Sequence, residues 1–270
     1  MSRTMKIWYG LSREALLQFR QTIERLAAAP GVRRVCEIGG GANPFLLPDF
    51  VQKYNLEYTV VDISADELAK APANYRKVQA DIAAPSLEIG GGYDLVFSQW
   101  CAEHVSSGRA MHENVWRMLA PGGRAVHIFP TLFSPPFVVN RLMPERLSAW
   151  ILSWLQPFRA PEGNHAKFPA YYHWCRGPMR SQLRRLTELG YGVEEYAGFF
   201  GHSGSVAYDT GYLNRLPPLC KLHELLSRQL VQHPVAALTS IAYMVLVRPT
   251  ATLRESSAVA VGEPANAAAL

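Results

Sequence analysis

The sequence predicts an α/β fold in which short apolar strands alternate with helices around a mostly parallel sheet. Three observations support this fold class. The apolar run 34–38 ends in three consecutive glycines, 39–41, which allow the backbone to turn sharply. A second apolar strand, 57–62, follows after a stretch without strand periodicity, and a third covers 93–100. Segments with helical spacing of apolar residues separate strands of this kind.

The predicted helices follow the same order. The first covers 12–29, with Ser12 as its N-cap and Leu16, Phe19, Ile23 and Leu26 on one face. The segment Ser64-Ala-Asp-Glu67 is a capping box that starts the helix after the second strand. Two further helices are predicted over 107–119 and 178–189, and the second of these stops at Gly190. The last two strands are predicted over 192–200 and 241–248.

Length and composition predict one domain over 1–249 and a disordered tail over 250–270, which is rich in Ala, Ser and Glu. Two stretches, 131–176 and 203–239, exceed what connects neighbouring elements and are expected to be substrate or lid insertions. The four cysteines form no C-x-x-C pair, which argues against a disulfide framework or a zinc site. The longest apolar run, 240–247, is too short to span a bilayer, so we expect a cytoplasmic protein.

The glycines and Asp62 predict a nucleotide site. A carboxylate about 20 residues beyond a glycine-rich turn is placed to bind the hydroxyls of a ribose. Two common nucleotide motifs do not fit, because Pro44 stands at the third glycine of the dinucleotide fingerprint and no Lys follows the glycines as in a P-loop. The remaining pattern, Glu-x-Gly-x-Gly-x-Asn from Glu37 to Asn43, predicts an adenosine-type ligand.

Four further segments extend the pattern in order along the chain: Asp81-Ile82, Tyr93-Asp-Leu-Val-Phe-Ser-Gln-Trp100, Glu103-His104-Val105 and Leu119-Ala-Pro-Gly-Gly123. With the glycine loop, these segments resemble the motifs of the class I S-adenosylmethionine-dependent methyltransferases. The resemblance covers roughly residues 35–130. It implies a three-layer Rossmann-like fold with a seven-stranded, mostly parallel sheet whose last strand is antiparallel, with the insertions after strands five and six.

The resemblance also implies S-adenosylmethionine as the cofactor. Asp62 would bind the ribose, and Asp81 with Ile82 would hold the adenine. Ser98 and Gln99 would line the methyl donor through their backbone. The full set of cofactor-binding residues implied in this way is Glu37, Gly39, Gly40, Gly41, Asn43, Asp62, Ile63, Asp81, Ile82, Ser98 and Gln99.

Three histidines are candidate catalytic bases, because histidine is the usual proton acceptor near neutral pH. His104 lies just beyond the strand predicted over 93–100, and His165 and His173 lie in the aromatic segment 164–176. A structural role, in which His104 holds its loop, stays open as the alternative. Nearby aromatic residues could stack on a sugar or form a hydrophobic plug. We expect no metal, since no further acid cluster or zinc-like spacing is present.

The stretch 141–185 contains eight basic residues and two acidic ones, which accounts for the whole net charge of +5. This distribution is typical of a solvated helix face or of a site for an anionic partner such as a phosphate-bearing substrate or an acidic membrane surface. Nucleic acid is not favoured, because no stacking platform or binding module is visible. An amphipathic helix predicted over 144–158 could be a lid or core element, or give peripheral membrane contact at the inner face through 136–160.

The predicted function is methyl transfer to a small-molecule, sugar or glycolipid acceptor, with O-methylation as the first hypothesis. The first alternative is N- or C-methylation of a quinone- or lipid-like acceptor. The second is a non-catalytic methyltransferase-like partner protein, which intact cofactor motifs disfavour. The sequence does not indicate the oligomeric state.

Overall fold

The structure is a computed structural model that describes residues 5–131, 143–144, 147, 150, 169–202, 213 and 216–250. Within these residues the strands are Lys6–Leu11 (β1), Arg34–Ile38 (β2), Glu57–Asp62 (β3), Arg76–Gln79 (β4), Tyr93–Gln99 (β5), Leu119–Pro130 (β6), Gly192–Phe200 (β7) and Ile241–Val247 (β8). The α-helices are Ser12–Ala27 (α1), Pro48–Lys53 (α2), Ala65–Lys70 (α3), Gly108–Met118 (α4), Arg180–Glu188 (α5) and Pro217–Gln232 (α6). Short 3₁₀ turns cover Ala102–His104 and Ala236–Leu238.

All described strands join one sheet with the order β1-β7-β8-β6-β5-β2-β3-β4. Neighbouring strands are parallel except at β8, which pairs antiparallel with both β6 and β7. The predicted α/β class and the antiparallel last strand are therefore confirmed. Because β5, β2 and β3 are parallel neighbours, their carboxyl ends meet at one edge of the sheet, where ligands of open α/β sheets bind.

The sheet has eight strands among the described residues, so the predicted number of seven is wrong. The additional strand is β1, which pairs in parallel with β7 from Lys6↔Glu195 to Leu11↔Phe200. Trp8 anchors it, because its indole N–H donates to Glu195 at 2.5 Å and its ring packs edge-on against Phe199. Six residues before the first helix carry too little pattern to predict a strand whose partner lies about 190 residues further along the chain.

Of the two N-caps predicted from the sequence, Ser64 is confirmed and Ser12 is wrong. Ser64 accepts a hydrogen bond from the backbone N–H of Glu67 at 3.2 Å, as the capping box predicts. Ser12 is not a cap: Leu11 occupies the cap position, and Ser12 is buried against Gly201. The proposed cap lies inside the structure because β1 leads directly into α1, so Ser12 packs where strand and helix meet.

Two apolar clusters lie on opposite faces of the sheet and complete a three-layer arrangement. On one face, Phe19 of α1 packs with Phe97 of β5 and Phe45 of the loop after β2. On the other face, the buried residues of α4 pack against the strands, with Met111 and Val115 fully covered. The central strands are thus buried on both faces, as expected for a parallel sheet.

Several predictions lie partly or wholly outside the described residues. They concern His165, most of the helix predicted over 144–158, most of the insertion 131–176 and the tail from 251. The second insertion contains α6, which packs on β1 and β7. In the part of the chain that the structure describes, no helix is long and apolar enough to cross a membrane.

Candidate functional site

The loop after β2 brings the backbone closer to its neighbours than any side chain would permit. Gly39 adopts φ +76°, and a Cβ there would lie 2.6 Å from Sγ of Cys101. A Cβ on Gly40 would lie 2.8 Å from Cγ1 of Val60 and 2.9 Å from Cδ of Glu37. These separations are far below van der Waals contact, so glycine is required at both positions.

Glu37, the acidic residue of β2, is buried just before this loop and is only 3% exposed. Its Oε2 accepts hydrogen bonds from the Tyr58 hydroxyl and from the backbone N–H of Phe45, the latter at 2.8 Å. Burial raises the pKa of Glu37 to about 7, even though both hydrogen bonds favour the ionised form. A ligand that brings a positive charge close to Glu37 would therefore stabilise the ionised form of this carboxyl group.

A polar cavity of about 260 Å³ opens beside Glu37. Its lining residues are Arg20, Glu37, Gly39, Asn43, Pro44, Phe45, Leu47 and Gln99. Among the described residues none donates a hydrogen bond to Oε1 of Gln99, although this atom is buried. A buried acceptor of this kind costs free energy until a donor reaches it. The cavity is thus lined by one buried carboxyl group and by a glutamine whose amide oxygen has no hydrogen-bond donor among the described residues.

Asp62 ends β3 at the same edge of the sheet. Its Oδ1 accepts the backbone N–H of Ser64 at 2.9 Å, and partial burial raises the pKa of the carboxyl. The side chain of Ile63 next to it is 68% exposed. Asp62 and Ile63 therefore offer an acceptor for hydroxyl groups beside an exposed apolar surface.

Asp81 lies beside Asp62, because β4 pairs in register with β3 through Asp62↔Gln79. Its carboxylate accepts the backbone N–H of Ala83 at 2.8 Å and is exposed. The side chain of Ile82 is buried in the apolar cluster under α4, and its carbonyl accepts a hydrogen bond from Asn114 at 2.8 Å. The structure thus brings Asp81 to the rim of the site and turns Ile82 into the core.

Ser98 lies next to Gln99 on β5, but its side chain is fully buried in the protein interior. The hydroxyl contacts Nδ1 of His127 at 2.8 Å, and the His127 ring lies 5.3 Å from the ring of His112. Burial lowers the pKa of His112 to about 4 and that of His127 well below its usual value, so both rings are neutral near pH 7. Sequence reasoning missed this pair, since a single His in an apolar run carries no signal of its partner.

His104 is held in one orientation by a backbone carbonyl. Its Nδ1 lies 2.8 Å from the carbonyl oxygen of Pro169, and since a carbonyl only accepts, Nδ1 carries the proton. The other nitrogen, Nε2, lies 3.7 Å from Oε1 of the buried Glu103. The structural hydrogen bond considered from the sequence is therefore present, and it engages Nδ1 of the ring.

The segment from Pro169 to Arg176 docks on the turn that contains His104. The backbone N–H groups of Tyr171 and Tyr172 both donate to the carbonyl of Glu103, at 2.8 and 3.1 Å. His173 makes a hydrogen bond through Nδ1 to the carbonyl of Ser106. Trp174 stacks on the buried His112, with the ring centroids 5.8 Å apart, and covers this part of the core. The side chain of Tyr171, in contrast, is 45% exposed.

Comparison with known proteins adds the decisive observation, since residues 36–127 match a family described as a methyltransferase domain. The matched residues are a methyltransferase domain by sequence, as the motifs of the class I S-adenosylmethionine-dependent methyltransferases predict. This match contains the glycine loop, Asp62, Asp81 and Gln99, which are the residues that meet at the edge of the sheet. The predicted family is confirmed, and with it S-adenosylmethionine as the cofactor of this methyltransferase domain.

One curated relative is a malonyl-[acyl-carrier protein] O-methyltransferase of Enterobacter lignolyticus (strain SCF1), 31% identical over 137 residues. The match covers 50% of this chain and 51% of the relative, so it spans about half the length of each protein.

Two solved structures share the fold at low identity. Haemonchus contortus phosphoethanolamine N-methyltransferase 2, in complex with S-adenosyl-L-methionine, has a TM-score of 0.51 and 14% identity over 87% of this chain and 53% of its own. Geranyl diphosphate C-methyltransferase of Streptomyces coelicolor A3(2) has a TM-score of 0.51 and 13% identity over 86% of this chain and 79% of its own.

The residues of the methyltransferase domain fit the cofactor. Glu37, Gly39 and Gln99 line the cavity beside the glycine loop, so a ligand in it can reach a buried carboxyl group. Glu37 and Gln99 could hold an amino group, and Asp62 could accept hydrogen bonds from ribose hydroxyls. S-adenosylmethionine, when bound, supplies a methyl group that is already activated on a sulfonium. In the described ranges no group of three His, Cys, Asp or Glu side chains is placed to hold a metal ion.

Proposed function

We propose that this chain transfers a methyl group from S-adenosylmethionine to a small-molecule acceptor bound at the carboxyl edge of its sheet. The observation that carries the proposal is the convergence of Glu37, Gln99 and Asp62 at the ends of three adjacent parallel strands, around a loop that only glycine can form. The methyltransferase family match over 36–127 supports the same conclusion.

The proposed roles follow from the position of each side chain. Glu37 and Gln99 bind the amino-acid end of the cofactor, with Asn43 at the loop, and Asp62 binds the ribose. Asp81 binds the adenine amino group from the rim. Ile63 gives the adenine ring an apolar surface, which explains why this side chain is exposed.

O-methylation is the reaction that we propose first, and His104 is its candidate base. The hydrogen bond to Pro169 leaves Nε2 of the neutral ring able to take the proton of an acceptor hydroxyl. Glu103 beside it would stabilise the resulting imidazolium. A positioned base is effective because the oxygen becomes a better nucleophile as its proton leaves. The acceptor that we propose is a small molecule, a sugar or a glycolipid.

N- or C-methylation of a lipid-like acceptor is the second candidate. It is favoured by an apolar cavity at the same edge of the sheet, between α6 and β7. A nitrogen or carbon nucleophile needs a different proton acceptor or none. Replacement of His104 would therefore spare N-methylation of an amine that enters in its neutral form.

Thermal unfolding with S-adenosylmethionine, S-adenosylhomocysteine and NAD tests the cofactor site. A ligand at about 100 times its dissociation constant adds about 2.7 kcal/mol of stability. We expect a rise in the unfolding midpoint with the first two ligands, and we expect Asp62→Ala to remove it. Asp66→Ala is the matched control, because Asp66 is an exposed carboxylate on α3. A rise with NAD alone, or an equal loss in both variants, would refute the proposal.

Transfer of a radiolabelled methyl group to hydroxyl, amine and carbon acceptors then distinguishes the two reactions. O-methylation predicts that His104→Gln reduces turnover of hydroxyl acceptors while the midpoint shift with S-adenosylhomocysteine is kept. Turnover of amine acceptors alone would select the second candidate.

A further inference from the structure

A second cavity lies at the carboxyl edge of the sheet, away from Glu37. It measures about 410 Å³, which is within the roughly 300–1,000 Å³ typical of ligand pockets. It opens between α6, the end of β7 and the start of β8. Residues of α6, of β7 and of the segment just before β8 line it, among them Phe200, Leu226, Ser227, Leu230, Leu238 and Ser240.

The hydrogen bonds of the sheet place this cavity on the same edge as Gln99. The backbone N–H of Trp100, after β5, donates to Ile128 of β6. Further along the edge, Thr131 donates to Ser240 at 3.0 Å, and Ser240 donates to Phe199 of β7 at 2.7 Å. Three strand spacings separate β5 from β7, which amounts to about 14 Å. One extended molecule can therefore reach from the cavity to the methyl-transfer site.

The chemistry of the lining selects an apolar, uncharged ligand. None of the described residues that line the cavity is Asp, Glu, Lys or Arg. The hydroxyl of Ser227 donates to the carbonyl of His223 within the helix at 2.7 Å, so this polar atom is already satisfied. The N–H and carbonyl of Ser240 are used in the sheet edge. The lining also contains the polar side chains of His223, Gln229 and His233, but its surface is mostly hydrocarbon, supplied by Phe200, Leu226, Leu230 and Leu238.

We infer that this cavity binds the hydrocarbon chain of an amphiphilic methyl acceptor, an acyl or isoprenoid chain, while the polar head of the same molecule reaches the site near Gln99 and His104. The inference rests on the proposed function and narrows its substrate class. Glycolipid and lipid-like acceptors satisfy it, whereas a free sugar leaves the cavity without a ligand. Burial of the chain supplies binding energy at a distance from the reacting atoms.

Dansyl-undecanoic acid, a fluorescent amphiphile used below its micelle concentration, tests the cavity directly. Leu226→Trp and Leu230→Trp place a bulky ring in the lining and exclude part of the chain. Each methylene that loses its burial weakens binding about fourfold, so displacing two of them weakens it by about tenfold or more. Leu225→Trp is the matched control, because Leu225 lies on the same helix, is 63% exposed and does not line the cavity.

The midpoint shift with S-adenosylhomocysteine, measured on the same proteins, distinguishes a failure of the proposed function from a failure of the inference about the second cavity. We expect it to be unchanged in all three variants, which also shows that each is folded. A wild-type protein without this shift would refute the proposed function. A normal shift together with no binding of the probe, or with equal weakening in Leu225→Trp, would overturn the inference. The latter result would assign the probe to the exposed outer face of α6, which is a membrane-like surface.

Discussion

Replacement of Glu37 by Gln tests the electrostatics of the methyl-donor site. Oε2 of Glu37 accepts both hydrogen bonds, from Tyr58 and from the N–H of Phe45. A Gln amide oxygen can accept the same two bonds, and its NH₂ group then faces the cavity that Glu37 lines. Glu37→Gln therefore keeps the shape and contacts of the side chain and removes only its ability to ionise.

The size of the effect follows from the raised pKa. Burial moves the pKa of Glu37 from 4.5 to about 7, and at about 1.4 kcal/mol per pH unit this amounts to about 3 kcal/mol. The folded state holds the proton more tightly than the unfolded state, so the free energy of unfolding falls as pH rises from about 4.5 to 7. We expect Glu37→Gln to lose this decrease, and thus to gain about 3 kcal/mol relative to the wild type over that interval.

Urea unfolding of both proteins without ligand, at several pH values between 4.5 and 7.5, measures this difference. The comparison cancels other titrating groups, including the buried His112 and His127, whose lowered pKa values act in the opposite direction. Glu88→Gln, the same change at an exposed carboxylate, is the control. A stability difference between wild type and Glu37→Gln that stays constant with pH would refute the reasoning.

Three further predictions address the loop, the core and the base. Gly40→Ala should destabilise the protein by about 1–3 kcal/mol in urea unfolding, because its Cβ would lie 2.8 Å from Val60; unchanged stability would contradict the packing described. Phe97→Ala should cost about 3–5 kcal/mol in the same assay, since Phe97 is fully buried; a loss under 1 kcal/mol would show that the core closes over the gap. His104→Gln should lower kcat for a hydroxyl acceptor about 10²–10⁴-fold. An unaltered kcat would show that His104 is not the base and that its role is the structural hydrogen bond to Pro169.

The methyl-donor half of the site could be predicted because its signals are local in sequence. The glycine loop, Asp62 and Asp81 each follow a strand directly, and parallel neighbours must bring their carboxyl ends to one edge. Strand order is the additional information needed, and the structure supplies it. The positions of Gln99 and Glu37 around one cavity follow from the pairing of β2 with β5.

Features that depend on distant partners could not be predicted in this way. The strand β1 exists because β7 offers it a partner. The His112–His127 pair and the inward turn of Ile82 result from the packing of α4 on the sheet. Ser12 is an instructive error, since its residue type favours a cap and its burial against Gly201 decides otherwise. In each case tertiary packing overrides a local preference.

The features that could be predicted belong to the strands that bind the cofactor, and those that could not belong to the proposed acceptor side. Motifs mark β2, β3 and β5, which bind a cofactor whose chemistry is the same for every acceptor. The proposed acceptor side is the second cavity between β7 and α6, and α6 packs on both β1 and β7. A leucine in α6 has no signature that separates a ligand-lining position from an exposed one. Leu226 and Leu225 are adjacent in sequence and both exposed, yet only Leu226 lines the cavity. Acceptor choice in this protein is therefore expected to change through substitutions in α6, without any change in the motifs that define the methyltransferase domain.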